Sequence, residues 1–334
     1  MDYVAPRWLP GGNLQTIWSA LGARRVGAAA LTYHRERWMT PDQDFIDVDW
    51  RPGPEGAPLI VNFHGLEGSS RSHYAQALAD YASEQGYGFV VPHFRGCSGE
   101  INLAPRVYHS GDFEEVGWVL NRLRQRHVGS ILVVGVSLGG NALLRWAQEM
   151  GHEARHVVDA IASVSAPIDL YASGDAMGRG FNRKVYTRMF LNSMKPKAIQ
   201  KLVQYPGLFD VAALDATRDL YEFDNVFTAP LHGFKNTQDY WTRASAKPHL
   251  HQIRVPTLVV NAINDPFVPA WSLPKQSEVN EWVTLWQPQD GGHVGFAQGR
   301  PPGHVRWMPH AVGGWLTQQI SSLNAVYGER KTHG

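Results

Sequence analysis

A single cysteine, Cys97, stands among 334 residues. One thiol excludes an internal disulfide framework and any cysteine-built metal centre. An excess of charge of one sign is missing too. The 31 Lys and Arg against 30 Asp and Glu leave a formal net charge of +1, so no global basic field points to nucleic acid. No uninterrupted apolar stretch is long enough to span a bilayer. The opening Met1-Asp2-Tyr3-Val4-Ala5-Pro6-Arg7 lacks the charged-then-apolar build of a secretory signal. Internal repeats and low-complexity tracts are also missing. These absences predict a cytoplasmic protein with no nucleic-acid partner and no integral membrane segment. Peripheral membrane contact stays open, because Leu14, Ile17, Trp18 and Leu21 recur at helical spacing. The commoner role of such a stripe is to pack under a domain.

What is present is an ordinary globular balance, 43% hydrophobic and 18% charged, over a length that suits one large α/β domain. Residues 6–23 read as a loop followed by a short helix over Asn13 to Leu21, stopped by Gly22. Residues 31–50 read as two antiparallel strands. Ile46, Val48 and Trp50 alternate with Asp47 and Asp49, the period of a half-exposed strand. From Leu59 the rhythm becomes strand, helix, strand. Strands are predicted at 59–63, 89–91, 131–136, 161–164, 257–260 and 283–286, with helices at 72–85, 112–126 and 142–150. That alternation implies a mostly parallel sheet with right-handed crossovers, flanked by helices. The stretch from about 167 to 250 breaks the rhythm and is too long for a bare loop. It reads as a helical cap inserted into a single domain spanning 1–334, seated over the strand ends where ligands of such sheets bind. The polar tail from Asn324 is expected to be irregular.

The stretch 131–151 organises the chemistry. Ile131-Leu132-Val133-Val134 is apolar enough for a strand buried on both faces, and Ala142, Leu143, Trp146, Ala147 and Met150 recur at helical spacing. Between them lies Gly135-Val136-Ser137-Leu138-Gly139, a G-x-S-x-G turn. A serine on such a turn is lifted off the sheet with the next backbone N–H aimed at the same point. Its hydroxyl needs a base, a histidine held by a carboxylate. Asp265 follows the 257–260 strand and His293 follows the 283–286 strand with glycines on its approach. Their order, Ser, Asp, His, is that of an α/β-hydrolase. Asp169, past the 161–164 strand, competes with Asp265, while Asp290 belongs to the His293 loop. The oxyanion hole is predicted from the amides of Leu138 and Leu66, the latter in the turn His64-Gly65-Leu66-Glu67. Glu67 is the alternative donor if that turn is wider by one residue, and His64 ties the loop down. Arg95 is placed to pair with Glu67 and brace the turn.

Seven blocks carry a closer likeness. They are Pro10–Thr16, His64–Ser70, Phe94–Glu100, Tyr108–Gly111, Gly135–Asn141, Ala229–Phe234 and Gly291–Phe296. With them the chain resembles the YheT-like, ABHD-type esterase and lipase branch of the α/β-hydrolase superfamily. The resemblance implies a Ser137, Asp265, His293 triad and carboxylic-ester hydrolysis. The expected protein is a serine carboxylesterase for small-molecule esters of short to medium acyl chains. It needs no cofactor and no metal. Two competing readings remain. One keeps the triad but makes the protein a monoacylglycerol lipase, thioesterase or acyltransferase; the other is a noncatalytic binding protein on a hydrolase fold. Roles for Arg95, Glu100 and His109 beyond these are not legible.

Overall fold

The computed structural model describes residues 2–23 and 32–331. Residue 31, at the edge of the first expected strand, and residues 332–334 of the tail lie outside that range. Among the described residues eight strands form one sheet in the order β1-β2-β4-β3-β5-β6-β7-β8. They are β1 (His34–Met39), β2 (Phe45–Arg51), β3 (Leu59–Phe63), β4 (Gly88–Pro92), β5 (Ile131–Val136), β6 (Ala160–Val164), β7 (Thr257–Val260) and β8 (Val283–Trp286). The β1-β2 and β2-β4 pairs are antiparallel and the rest parallel.

Side chains alternate across a strand, so an unbroken apolar strand feeds two cores. In β5, Ile131 and Val133 join one core while Leu132, Val134 and Val136 join the other. The first core is closed by α3 (Phe113–Arg126) and α4 (Leu138–Met150), through Val116, Leu120, Leu143 and Trp146. The second is closed by α2 (His73–Glu84) and the C-terminal helix Trp307–Lys331, through Leu78, Ala82, Val312 and Leu316. That last helix runs on through the segment from Asn324 expected to be irregular. Between β6 and β7 the chain makes a run of helices from Leu170 to Ala244, in the place where the cap was expected.

Two expectations change. The aspartates of β2 are not solvated: Asp47 and Asp49 are both buried. Asp47 accepts from Arg37 and Ser98, and Asp49 from Arg35, Ser70 and the ring of His93. Arg35 and Arg37 of the neighbouring strand β1, with Ser70, His93 and Ser98 from loops, cover the face that the alternation assigned to water. The helix α1 (Gly12–Leu21) is the second case. It forms where predicted, and the amide of Gly22 closes it on the Trp18 carbonyl. Its buried residues, however, are Gln15, Thr16 and Ser19, while Leu14, Trp18 and Leu21 face outward and Ile17 alone of the stripe packs inward.

Candidate active site

β5 ends at Val136 and α4 begins at Leu138, leaving one residue to reverse direction. Ser137 does so at φ 54° and ψ −121°, a left-handed backbone that costs about 1–3 kcal/mol for a residue with a side chain. The donation from its amide to the Val164 carbonyl, 2.8 Å, holds it there. The crossing is so close that a Cβ on Gly135 would lie 2.5 Å from the Gly139 carbonyl oxygen. One on Gly139 would lie 2.5 Å from the carbonyl oxygens of Phe63 and His64.

The three residues expected to act together converge. The Ser137 Oγ lies 2.9 Å from His293 Nε2, and His293 Nδ1 lies 3.0 Å from Asp265 Oδ2. The Asp265 carboxylate is fully buried and also accepts the amides of Phe267 at 2.8 Å and Val268 at 3.3 Å. It has no room to turn away. Phe267 stacks on the imidazole at 4.0 Å between centroids and fixes the ring plane. The competitor Asp169 is occupied elsewhere: its side chain caps the helix Leu170–Met177 by accepting from the Ala172 amide at 3.0 Å.

The inward polar face of α1 explains how two distant loops keep register. Gln15 Oε1 accepts from the Gly291 amide at 2.8 Å and from Asn264 Nδ2 at 3.0 Å. The Thr16 hydroxyl accepts the His293 amide at 2.8 Å. Asp290 joins the same knot by accepting from Asn264 at 2.8 Å. Side chains of α1 thus hold the loops of both Asp265 and His293. The sequence block Pro10–Thr16 held this signal, but nothing local to α1 says what its polar residues bind.

The turn after β3 is organised by side chains that claim its amides. Gly65 N–H donates to the Tyr74 hydroxyl and Glu67 N–H to the Tyr108 hydroxyl, each at 2.9 Å. The wider-turn alternative therefore falls, because the Glu67 amide is taken. The amides of Leu66 and Leu138 have no partner among the described residues. The second of these is unpaired because it opens a helix. His64 is fully buried, with Nδ1 2.8 Å from the Gly65 carbonyl and Nε2 accepting from the Phe94 amide at 3.0 Å. Burial, with His93 nearby, pushes its pKa down to about 3, so it is a neutral strut. Gly65 itself leaves space: a Cβ there would sit 3.0 Å from Ser137 Cβ.

Arg95 does not pair with Glu67. Its guanidinium is held by Asp42 and Asp44 at 2.7 Å each and by Glu115 at 2.5 Å. Three carboxylates converge on it from β2's leading turn and α3, which outcompete a single acid on a neighbouring loop. Glu67 instead pairs with Lys197 at 2.8 Å and accepts from Tyr108 at 2.9 Å and from Ser193. Lys197 and Ser193 lie on the helix Arg188–Gln204 of the inserted segment. Glu100 pairs with Arg37 at the surface. His109, its pKa pushed down to about 3 mainly by burial, packs among His232, Phe234 and Tyr240. Asn141, unassigned from sequence, donates to the carbonyls of Ser110 and Ala244 and accepts from Ala246, fastening α4 to the end of the insertion.

A cavity of about 160 Å³ opens on Ser137, Leu138, Leu66 and His293. Met177, Met194, Leu220, Phe223, Phe227 and Trp241 of the inserted segment form its apolar wall. Asp224 also lines it, bonded to Trp241 Nε1 at 2.8 Å. Burial pushes this carboxyl up to about 6. The Cys97 thiol is pushed up to about 12 by burial and stays protonated at neutral pH. Among the described residues no group of three or more His, Cys, Asp or Glu is placed to hold a metal ion.

Strand order, elbow and converging loops define an α/β-hydrolase, and the chain belongs to that family: its alpha/beta hydrolase fold profile matches residues 58–299. Within the family it falls in the YheT-like ABHD branch. It is 39% identical to YheT of Escherichia coli (strain K12), whose name marks its esterase activity as an inference, over 96% of this chain and 94% of that one. It is 28% identical to the phospholipase ABHD3 of Mus musculus, over 83% of this chain and 70% of that one. A monoacylglycerol lipase of Saccharomyces cerevisiae is also 28% identical, over 80% and 60% respectively. Among solved structures, the Pyrococcus furiosus esterase Pf2001 shares the fold at 16% identity with a TM-score of 0.55, covering 90% of this chain and 98% of that one.

Proposed function

We propose that the protein is a serine carboxylesterase that hydrolyses carboxylic esters through an acyl-enzyme. The observation that carries this reading is the unbroken line from Ser137 Oγ to His293 Nε2 and from His293 Nδ1 to Asp265. Neutral His293 donates Nδ1–H to Asp265 and accepts the Ser137 proton at Nε2 as Oγ attacks the ester carbonyl. Negative charge then grows on the carbonyl oxygen, where the unclaimed Leu66 and Leu138 amides meet it. One such donor is worth about 3–4 kcal/mol of barrier. The imidazolium gives its proton to the leaving alcohol. Water, deprotonated by the same ring, attacks the acyl-serine and releases the acid. Asp265 keeps the tautomer and offsets the imidazolium charge throughout. No step calls for a cofactor.

The apolar wall supports an acyl group as the buried half of the substrate. A cavity of about 150 Å³ accommodates a six-carbon ring, so the space here suits short to medium chains. The relatives named as a monoacylglycerol lipase and a phospholipase favour a second reading with the same triad and a lipid ester. Hydrolysis of p-nitrophenyl esters from acetate to palmitate, of monoacylglycerols and of acyl thioesters, with and without an acceptor alcohol, separates these. The wild-type protein is expected to prefer the shorter simple esters. Ser137→Ala is expected to lose on the order of 10⁴-fold or more in kcat while keeping its fold. Full turnover by the purified variant overturns the assignment.

A further inference from the structure

α1 is amphipathic the wrong way round for a helix on a globular domain. Its polar side chains Gln15, Thr16 and Ser19 point inward, and the first two are spent on the loops of Asp265 and His293. Except for Ile17, the apolar side chains of its stripe point out: Leu14 is 48% exposed and Leu21 83%, and Trp18 beside them is 36% exposed with its Nε1 donating to the Pro302 carbonyl. A second helical stretch repeats this nearby. Phe181 and Met189 are 51% and 55% exposed, and Val185 between them is exposed as well. The two stretches meet where the Tyr186 hydroxyl donates to Asn13 Oδ1 at 2.9 Å. Ile17 and Tyr186 share one apolar cluster with Phe267, the residue stacked on His293.

Charge tells what covers this face. From 176 to 209 the chain carries Arg179, Arg183, Lys184, Arg188, Lys195, Lys197 and Lys201 and no acidic residue, although the whole chain is nearly neutral. Arg179 pairs with Asp175, Lys197 with Glu67, and Lys195 and Lys201 are tied to carbonyl oxygens. Arg183, Lys184 and Arg188 remain exposed, with no ion pair among the described residues. They interleave with Phe181, Val185 and Met189. Basic side chains among Trp, Phe and Leu on a surface helix are the pattern of an interfacial contact with anionic lipid. A second copy related by a two-fold axis would set these cations against their own mates, which is repulsive.

We propose that α1 and the segment 181–189 form a docking surface for an anionic phospholipid bilayer. Leu14, Trp18, Leu21, Phe181 and Met189 enter the acyl boundary, and Arg183, Lys184 and Arg188 meet the headgroup phosphates. Docking does not depend on the hydrolytic chemistry, so Ser137→Ala binds lipid as the wild type does. Flotation of the full chain with phosphatidylcholine vesicles, and with vesicles containing 30% phosphatidylglycerol as a test composition, reads the surface directly. Binding is expected with the anionic vesicles at low salt, weakening as salt rises. Leu14→Gln with Leu21→Gln and Phe181→Gln is expected to lower the bound fraction ~10-fold. Arg183→Glu with Lys184→Glu and Arg188→Glu is expected to remove the preference for phosphatidylglycerol. Circular dichroism checks that each variant is folded, and the surface charge variant keeps the test decisive if the apolar one is not. Absence of the wild type from anionic vesicles at low salt overturns the proposal, as does undiminished binding by the folded variants. So does a concentration-dependent dimer, lost in the Leu14 variant, with no vesicle binding.

Discussion

The hydroxyl of Thr16 accepts the backbone N–H of His293, so the ring's position depends on a side chain 277 residues away. Thr16→Val keeps the shape and removes the acceptor. A drift of a fraction of an ångström at a proton-transfer site is expected to cost ~10–100-fold in kcat with KM little changed. Thr16→Ser is expected to restore it, and steady-state kinetics on one short ester check both. If KM rises and kcat holds, Thr16 does not act through His293. Asp224 gives a second residue-scale prediction. Its folded pKa is raised to about 6, so the folded state holds the proton more tightly than the unfolded one. Its contribution is therefore most favourable at low pH and is lost as pH rises from about 4 to about 6. Asp224→Asn is expected to melt higher than the wild type above pH 6, with the difference closing near pH 4. A constant difference across that range contradicts the raised pKa.

At the scale of elements, Glu67 joins the turn after β3, the proposed oxyanion turn, to the helix Arg188–Gln204 through Lys197 and Ser193. The same carboxylate accepts from Tyr108, whose oxygen takes the Glu67 amide. The latch thus fixes both the inserted helix and the turn bearing Leu66. Lys197→Ala is expected to raise hydrogen exchange across 188–204 and to raise KM severalfold more than it lowers kcat. Unchanged exchange there would leave the latch without a role. The strands were legible because a run such as Ile131–Val134 satisfies both faces of a buried strand with no help from elsewhere. The elbow, Asp265 and His293 were legible because glycines and strand ends are local signals. Polar residues whose partners are distant in sequence were not. Asp47 and Asp49 look solvated until Arg35, Arg37 and His93 arrive, and α1 reads as a core stripe until Gln15 and Thr16 are seen to hold other loops. For Arg95 the sequence shows only that its loop and that of Glu67 follow adjacent strands, whereas folding offers it three other acids.

For the molecule as a whole, two apolar cores pack the two faces of the sheet, and the proposed catalytic residues sit where β3, β5, β7 and β8 end in loops. The inserted helices wall the cavity on Ser137, and on the proposed function they set how much acyl chain is admitted. Met194→Ala widens the cavity beside the elbow without opening either sheet core. It is expected to move the preferred p-nitrophenyl ester toward longer chains, and an unchanged chain-length profile would place the acyl group elsewhere. All of this depends on an activated Ser137. Treatment of the purified chain with a fluorophosphonate, followed by peptide mass mapping, tests it most directly. The account predicts one adduct per chain, on Ser137, lost in Ser137→Ala and much slowed in His293→Ala. A folded chain that stays unlabelled, or an adduct on another residue with Ser137 unmodified, contradicts it.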